Sequence, residues 1–256
     1  MTEQRMSYQD LIYSVEDSIA TITLNRPARM NALSLNLEEE LHRAFDEADN
    51  DRVVRVIILT GAGAAFCAGF DQGANKSGRR NSDPAGRSIA EFIEYCHRRQ
   101  GKRIGDWQHM WRLSKPIIAA VNGWAMGAGF WYQLAADITI ASEQAVFAQP
   151  EVRHISSTSF LLTALCGWKA ANRWALTGDH FDAQEALRIG MVNEVVPHDQ
   201  LMETARALAS EADRARARAG RAAQQGGRDA RHPGRRIAFR PAAGRNARRA
   251  RPRVPQ

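Results

Sequence analysis

The chain has 256 residues, long enough for one large domain or two small ones, and 44% hydrophobic content is enough for a real core. Its three cysteines, Cys67, Cys96 and Cys166, sit at unrelated spacings, which excludes a disulfide framework and a cysteine zinc pattern; no metal is expected, and a reducing cytoplasm is the simplest home. The net charge of +7 would suggest an acidic or nucleic-acid partner if it were spread evenly, but residues 211–256 hold fourteen arginines against three acids, so the remainder is mildly acidic.

The first 17 residues mix both charge signs without an apolar core, so no secretory signal is expected. Residues 19–24 alternate as a half-buried strand does, and the following NRPARMNALS supplies the Pro and Asn of an exposed connection. Leu37, Leu41, Ala44, Phe45 and Ala48 recur at helical spacing, with Asn36 and Glu39 fitting a capping box. VVRVIILT at 53–60 predicts a buried strand rich in β-branched residues. That strand leads into a small-residue turn over 61–71, with Gly61, Gly63, Ala68 and Gly69 leaving the backbone open. Residues 72–105 are polar and basic around a helix expected near 88–99. They suit a lid, an acyl-pocket wall or a phosphate contact, or else a plain solvated face.

The stretch from Lys115 to Glu151 organises the rest. It predicts a strand over 117–121, a tight turn over 122–129, a helix opening near Ala128 and a second strand after Asp137. Side chains are almost absent from a turn built on Gly123, Gly127, Ala128 and Gly129, so the amides at the helix entrance can meet a ligand oxygen. The 21 residues from Pro116 to Ala136 carry no charge, which raises the question of a membrane span. Asn122, Gln133, Pro116 and the glycines argue for a buried strand, turn and helix instead. FAQPE at 147–151 reads as a strand then a turn. A helical segment ends at LTGD, Asp182 and Glu185 cap a helix that Gly190 stops, and residues 191–197 form a last extended segment.

Two segments, GAGAAFCAGFDQ at 61–72 and the stretch from Lys115 to Glu151, in this order and about sixty residues apart, resemble the two hallmarks of the enoyl-CoA hydratase/isomerase (crotonase) family. The likeness extends over roughly residues 8–210. It implies an α/β crotonase-like fold, a spiral of ββα units with a C-terminal helical region, and a homotrimer or homohexamer. It also implies enzymatic action on acyl-CoA thioesters, with coenzyme A part of the substrate and no separate cofactor.

By the same resemblance the oxyanion N–H donors are Phe70 and Ala128, with Ala68, Gly69, Asp71 and Gly127 around them, and Ala28, Arg29 and Met30 lie against the nucleotide. Glu151 falls where the family has its second glutamate, and Trp131 occupies the place of the first, which hydration needs; its ring either faces the acyl site as a substrate contact, narrowing it or stacking on an aromatic acyl group, or turns inward and packs. One carboxylate suits Δ3,Δ2-enoyl-CoA isomerisation. The alternatives are a hydratase with Asp71 or His154 as substitute acid, and a weakly active acyl-CoA binder. Asp137 and Asn122 are expected to be structural, through local backbone hydrogen bonds.

The family's C-terminal helices carry apolar faces that residues 211–256 lack. The composition predicts a domain over 1–210 and an Arg/Ala-rich tail over 211–256, disordered or produced by a shifted reading frame. A nucleic-acid-binding tail is the other possibility, disfavoured by the lack of interleaved aromatics, and no membrane partner is expected.

Overall fold

A computed structural model describes residues 7–71, 107–149 and 159–225, with side chains described over 7–71, 107–149 and 161–218. The chain divides into two units, Met1–Arg216 and Ala217–Gln256, and the first carries all the strands described below residue 200.

Among the described residues, ten strands form two sheets. The larger is built from β1 (Leu11–Glu16), β2 (Ile19–Leu24), β3 (Val56–Gly61), β5 (Ile117–Val121), β7 (Ile138–Ser142) and β10 (Glu194–Val196), in the spatial order β1-β2-β3-β5-β7-β10. The smaller is built from β4 (Ala65–Cys67), β6 (Trp124–Met126), β8 (Val146–Ala148) and β9 (His180–Asp182), in the order β4-β6-β8-β9. β1 and β2 are antiparallel, and β2, β3, β5, β7 and β10 run parallel. Three successive pairs, β3/β4, β5/β6 and β7/β8, each send their first strand to the large sheet and their second to the small one. This repetition is the ββα spiral.

The parallel strands read as unbroken apolar runs because both faces are covered. Ile57, Leu59, Ile117, Ala119 and Val121 face the main core with α1 (Leu35–Asn50) and α2 (Ala128–Ala135). Val56, Ile58, Ile118 and Ala120 face the other way, onto Leu201, Ala205 and Ala209 of the last helix, α6 (Leu201–Gln225). Each fully buried Leu, Ile or Phe contributes about 1.5–3 kcal/mol relative to exposure, so both layers matter to the sheet. Between them in sequence lie α3 (Ser159–Cys166), α4 (Trp168–Thr177) and α5 (Ala183–Arg188), and a further helical stretch occupies residues 107–112.

Several expectations need correction. The N-cap of α1 is Ser34, whose hydroxyl accepts from the Leu37 N–H, and not Asn36, whose amide donates to Asp10. The buried strand begins at Val56, since Val53 is exposed, and runs one residue further, to Gly61. The turn expected over 122–129 contains the strand β6, and the turn over 61–71 contains β4. The strand expected at the start of 147–151 is β8, which begins one residue earlier and ends at Ala148, while residues 150–151 of the expected turn lie outside the described residues. Asp182 does cap α5, accepting from Glu185 N–H, and Gly190 follows with φ 76°. Residues 211–225, assigned to the tail by composition, continue α6. The helix expected near 88–99 lies outside the described residues.

Candidate active site

The site forms where the two small-residue turns touch. After β4 the backbone turns at Gly69, whose φ of +91° is a conformation open to glycine and strained for other residues. A side chain there would stand 3.0 Å from Met126 O and 3.3 Å from Ala128 N, so the Gly69–Phe70 peptide lies directly beside the entrance to α2. α2 is held equally close to β4, because a Cβ on Gly129 would fall 2.2 Å from Cys67 O. Gly127, at φ 51°, precedes the helix and donates its N–H to Ala148 O in β8. Ala128 then supplies the first N–H of α2, where a helix offers amides without intrahelical acceptors and a partial positive charge. The structure thus brings together Ala68, Gly69, Phe70, Gly127 and Ala128.

Side chains from elsewhere fix the first turn. Asn31 is fully buried at φ 55°; its Oδ1 accepts from Arg26 N–H and its amide donates to Ala62 O and Ala65 O. Asn122 accepts from Gly61 N–H and donates to Gly63 O. It is structural, as expected, yet its partners lie about sixty residues away and not nearby in sequence. Asp137 is similar, since it accepts from the N–H of Ile117, twenty residues earlier. Asp71 forms an ion pair with Arg26 at 3.0 Å, and Arg26 also donates to Ala32 O. That pairing gives Asp71 a role in closing the turn against the 25–34 connection.

Ala28, Arg29 and Met30 lie exposed on that connection, at a one-turn 3-10 helix (Pro27–Arg29). Burial pushes the Cys67 thiol, which accepts from Gly69 N–H beneath the turn, up to about 12, so it stays protonated and unreactive near neutrality. Trp131 is turned inward at 2% exposure, its ring 5.5 Å from Trp107 and edge-on to Phe130 at 5.3 Å. Glu151 and His154 lie outside the described residues, as do the basic residues of 72–105. Among the described residues no cluster of three His, Cys, Asp or Glu suits a metal ion, and no helix is long and apolar enough to cross a membrane.

The sequence profile of the family described as enoyl-CoA hydratase/isomerase matches residues 14–229. This chain belongs to that family. A Rhizobium meliloti protein named "probable enoyl-CoA hydratase" is 37% identical over 204 residues, covering 78% of this chain and 74% of the relative. The solved structure of a probable enoyl-CoA hydratase from Mycobacterium thermoresistibile superposes with TM-score 0.69 at 35% identity, covering 85% of this chain and 87% of the other. A structure described as a monofunctional enoyl-CoA isomerase from M. smegmatis gives TM-score 0.64 at 31% identity, over 79% and 84% of the two chains. The crotonase fold, membership of an enzyme family acting on acyl-CoA, and the hydratase/isomerase class follow. Hydratase names predominate among these relatives, and an isomerase is present as well.

Sequence reasoning missed Asn31 and Arg26, and it left the direction of Trp131 open, which the structure turns into the core. The first carried a signal, an asparagine after the PARM turn in a position that favours left-handed backbone.

Proposed function

We propose that this chain isomerises 3-enoyl-CoA thioesters to their 2-enoyl forms. The thioester oxygen sits between the N–H groups of Phe70 and Ala128, and Glu151 moves the proton. Glu151 removes a proton from C2, the resulting dienolate gathers charge on the oxygen facing the two amides, and the same carboxyl returns the proton to C4, leaving the double bond between C2 and C3. Two such donors are worth about 10²–10³ in rate each where removal has been measured. No redox cofactor or metal takes part in this scheme.

The observation that carries the reading is Trp131, which stands where the resemblance expects the first hydratase glutamate and packs against Trp107 and Phe130, with no group able to move a proton. Asp71, one of the two substitute acids, is engaged by Arg26. Coenzyme A lies along the exposed residues Ala28, Arg29 and Met30. Assembly into a trimer or hexamer fits the exposure of Trp168 and Leu176 on α4, and free Cys67 and Cys166 suit a reducing, cytoplasmic setting.

The second reading is a hydratase, favoured by the names of the relatives. Glu151→Gln decides whether the carboxyl is needed at all. Isomerisation by this carboxyl requires a loss of at least about 10²-fold in kcat with acyl-CoA affinity kept; kcat within threefold of wild type would sink it.

A further inference from the structure

A hydrogen-bonded chain of four side chains runs from solvent to the helix that carries Ala128. Asp46 Oδ1 meets His109 Nε2 at 2.8 Å, His109 Nδ1 meets His42 Nδ1 at 2.7 Å, and His42 Nε2 meets the Tyr132 hydroxyl at 3.0 Å. Asp46 and His42 belong to α1, His109 to the helical stretch at 107–112, and Tyr132 to α2. The Asp46 side chain is 61% exposed, whereas Tyr132 is 2% exposed in the core.

The chemistry of the four groups sets the direction of this chain when both imidazoles are neutral. A carboxylate only accepts, so His109 carries its hydrogen on Nε2 and offers a bare Nδ1. His42 then donates from Nδ1 and accepts at Nε2, where the tyrosine hydroxyl donates. One proton occupies each gap, and the two histidines are opposite tautomers.

The same elements hold α2. A helix of eight residues does not keep its own geometry in water, so its tilt is set by what grips it. Its N-terminal end rests on Cys67. Its middle is tied through Tyr132 to His42, and its last turn through Ala135 O to the Trp111 indole. Trp107, in the same 107–112 stretch, packs on Trp131.

We propose that Tyr132 and His42 are positioning residues for the acyl-CoA reaction. Through the directed chain Tyr132 to His42 to His109 to Asp46, they fix the orientation of α2 and hence the aim of the Ala128 N–H at the thioester oxygen. This rests on the oxyanion role assigned above to Ala128. An amide acts there only within a few tenths of an ångström of its hydrogen-bonding distance, so a small rotation of α2 weakens polarisation while leaving the rest of the binding surface in place.

The test uses the full-length protein and butyryl-CoA, a saturated thioester that binds without reacting. The infrared carbonyl stretch of the bound thioester should move to lower wavenumber in the wild type. Tyr132→Phe, which deletes one oxygen and keeps the ring, should lose at least half of that shift. With a 3-enoyl-CoA the same variant should lose about tenfold in kcat while KM stays within about twofold. His42→Gln, whose amide can stand in for Nε2, should lie closer to wild type than His42→Ala in both readouts. Nitrogen-15 NMR near pH 8 should show His42 protonated on Nδ1 and His109 on Nε2. A wild-type shift that survives Tyr132→Phe unchanged, or identical tautomers at the two histidines, would overturn the positioning claim alone. A wild-type protein that binds butyryl-CoA without any carbonyl shift would overturn the oxyanion reading and the positioning claim with it.

Discussion

The two turns that meet at the site are similar in composition and are held in different ways. The first, from Gly61 to Asp71, is fastened by side chains reaching in from other segments: Asn31, Asn122 and Arg26 between them satisfy five of its polar groups. The second, from Asn122 to Gly129, is fastened by backbone contact, with Gly123 against Ala64 O and Gly129 against Cys67 O at distances that leave no room for a Cβ. A side-chain clamp loses its effect bond by bond when mutated. A backbone contact tolerates nothing larger than hydrogen.

The largest effect is therefore expected at the second turn. Gly129→Ala would force a Cβ to within 2.2 Å of Cys67 O, and displacement of β4 or α2 should cost about 3 kcal/mol or more, read as loss of soluble folded protein or a steep fall in Tm. A Tm within a few degrees of wild type would show that this contact yields, and the contrast between the turns would fail.

Next comes Asn31→Ala, which leaves Ala62 O, Ala65 O and Arg26 N–H without this partner in a buried place and puts a β-carbon residue of less favourable type at φ 55°. About 3 kcal/mol is expected in denaturant unfolding, with the m-value unchanged. Loss below about 1 kcal/mol would mean that water replaces the amide readily.

Asp71→Asn is milder. It keeps shape and one acceptor while removing the charge opposite Arg26, so about 1 kcal/mol of stability and no more than about threefold in turnover should go. A collapse of turnover beyond about a hundredfold would instead make Asp71 the second acid and favour hydration.

The smallest effect concerns Cys67. Its thiol is raised from 9.0 to about 12 in the fold, so the folded state favours the protonated form. That contribution is fully present below the unfolded value near 9 and is lost as pH rises towards 12. Iodoacetamide at pH 8 should leave Cys67 unmodified in the native protein and label it on unfolding, as mass spectrometry of the peptide would show. Rapid native labelling would mean that the first turn opens more easily than its hydrogen bonds imply.

The sequence disclosed what depends on neighbours along the chain. β2 and β5 fall on the residues expected, β5 because an unbroken apolar run such as IIAAV has few other ways to be buried and β2 because IATITL alternates, although β2 is buried on both faces and not half-buried as its alternation implied. The α5 cap at Asp182 was visible for the same reason, since donor and acceptor lie three residues apart. The short strand β6 was hidden, because Trp-Ala-Met shows no alternation and is defined by its pairing with β4 and β8. The partners of Asn31 and Asn122 were equally hidden, lying about thirty and sixty residues away. His42 carried no local signal at all: its partners, His109 and Tyr132, are 67 and 90 residues downstream, and only the approach of the 107–112 stretch and of α2 to α1 brings them together. Of the site, the glycine turns were legible from composition, while the inward turn of Trp131 depends on Trp107, which no pattern linked to it.

Single-glutamate chemistry is tested most directly by a paired assay of the purified protein with a 3-enoyl-CoA and a 2-enoyl-CoA of the same chain length, following isomerisation and hydration separately. The predicted result is turnover of the 3-enoyl substrate to the 2-enoyl thioester, with hydration of the 2-enoyl substrate at least about a hundredfold slower. Hydration as fast as isomerisation, or hydration alone, would contradict it.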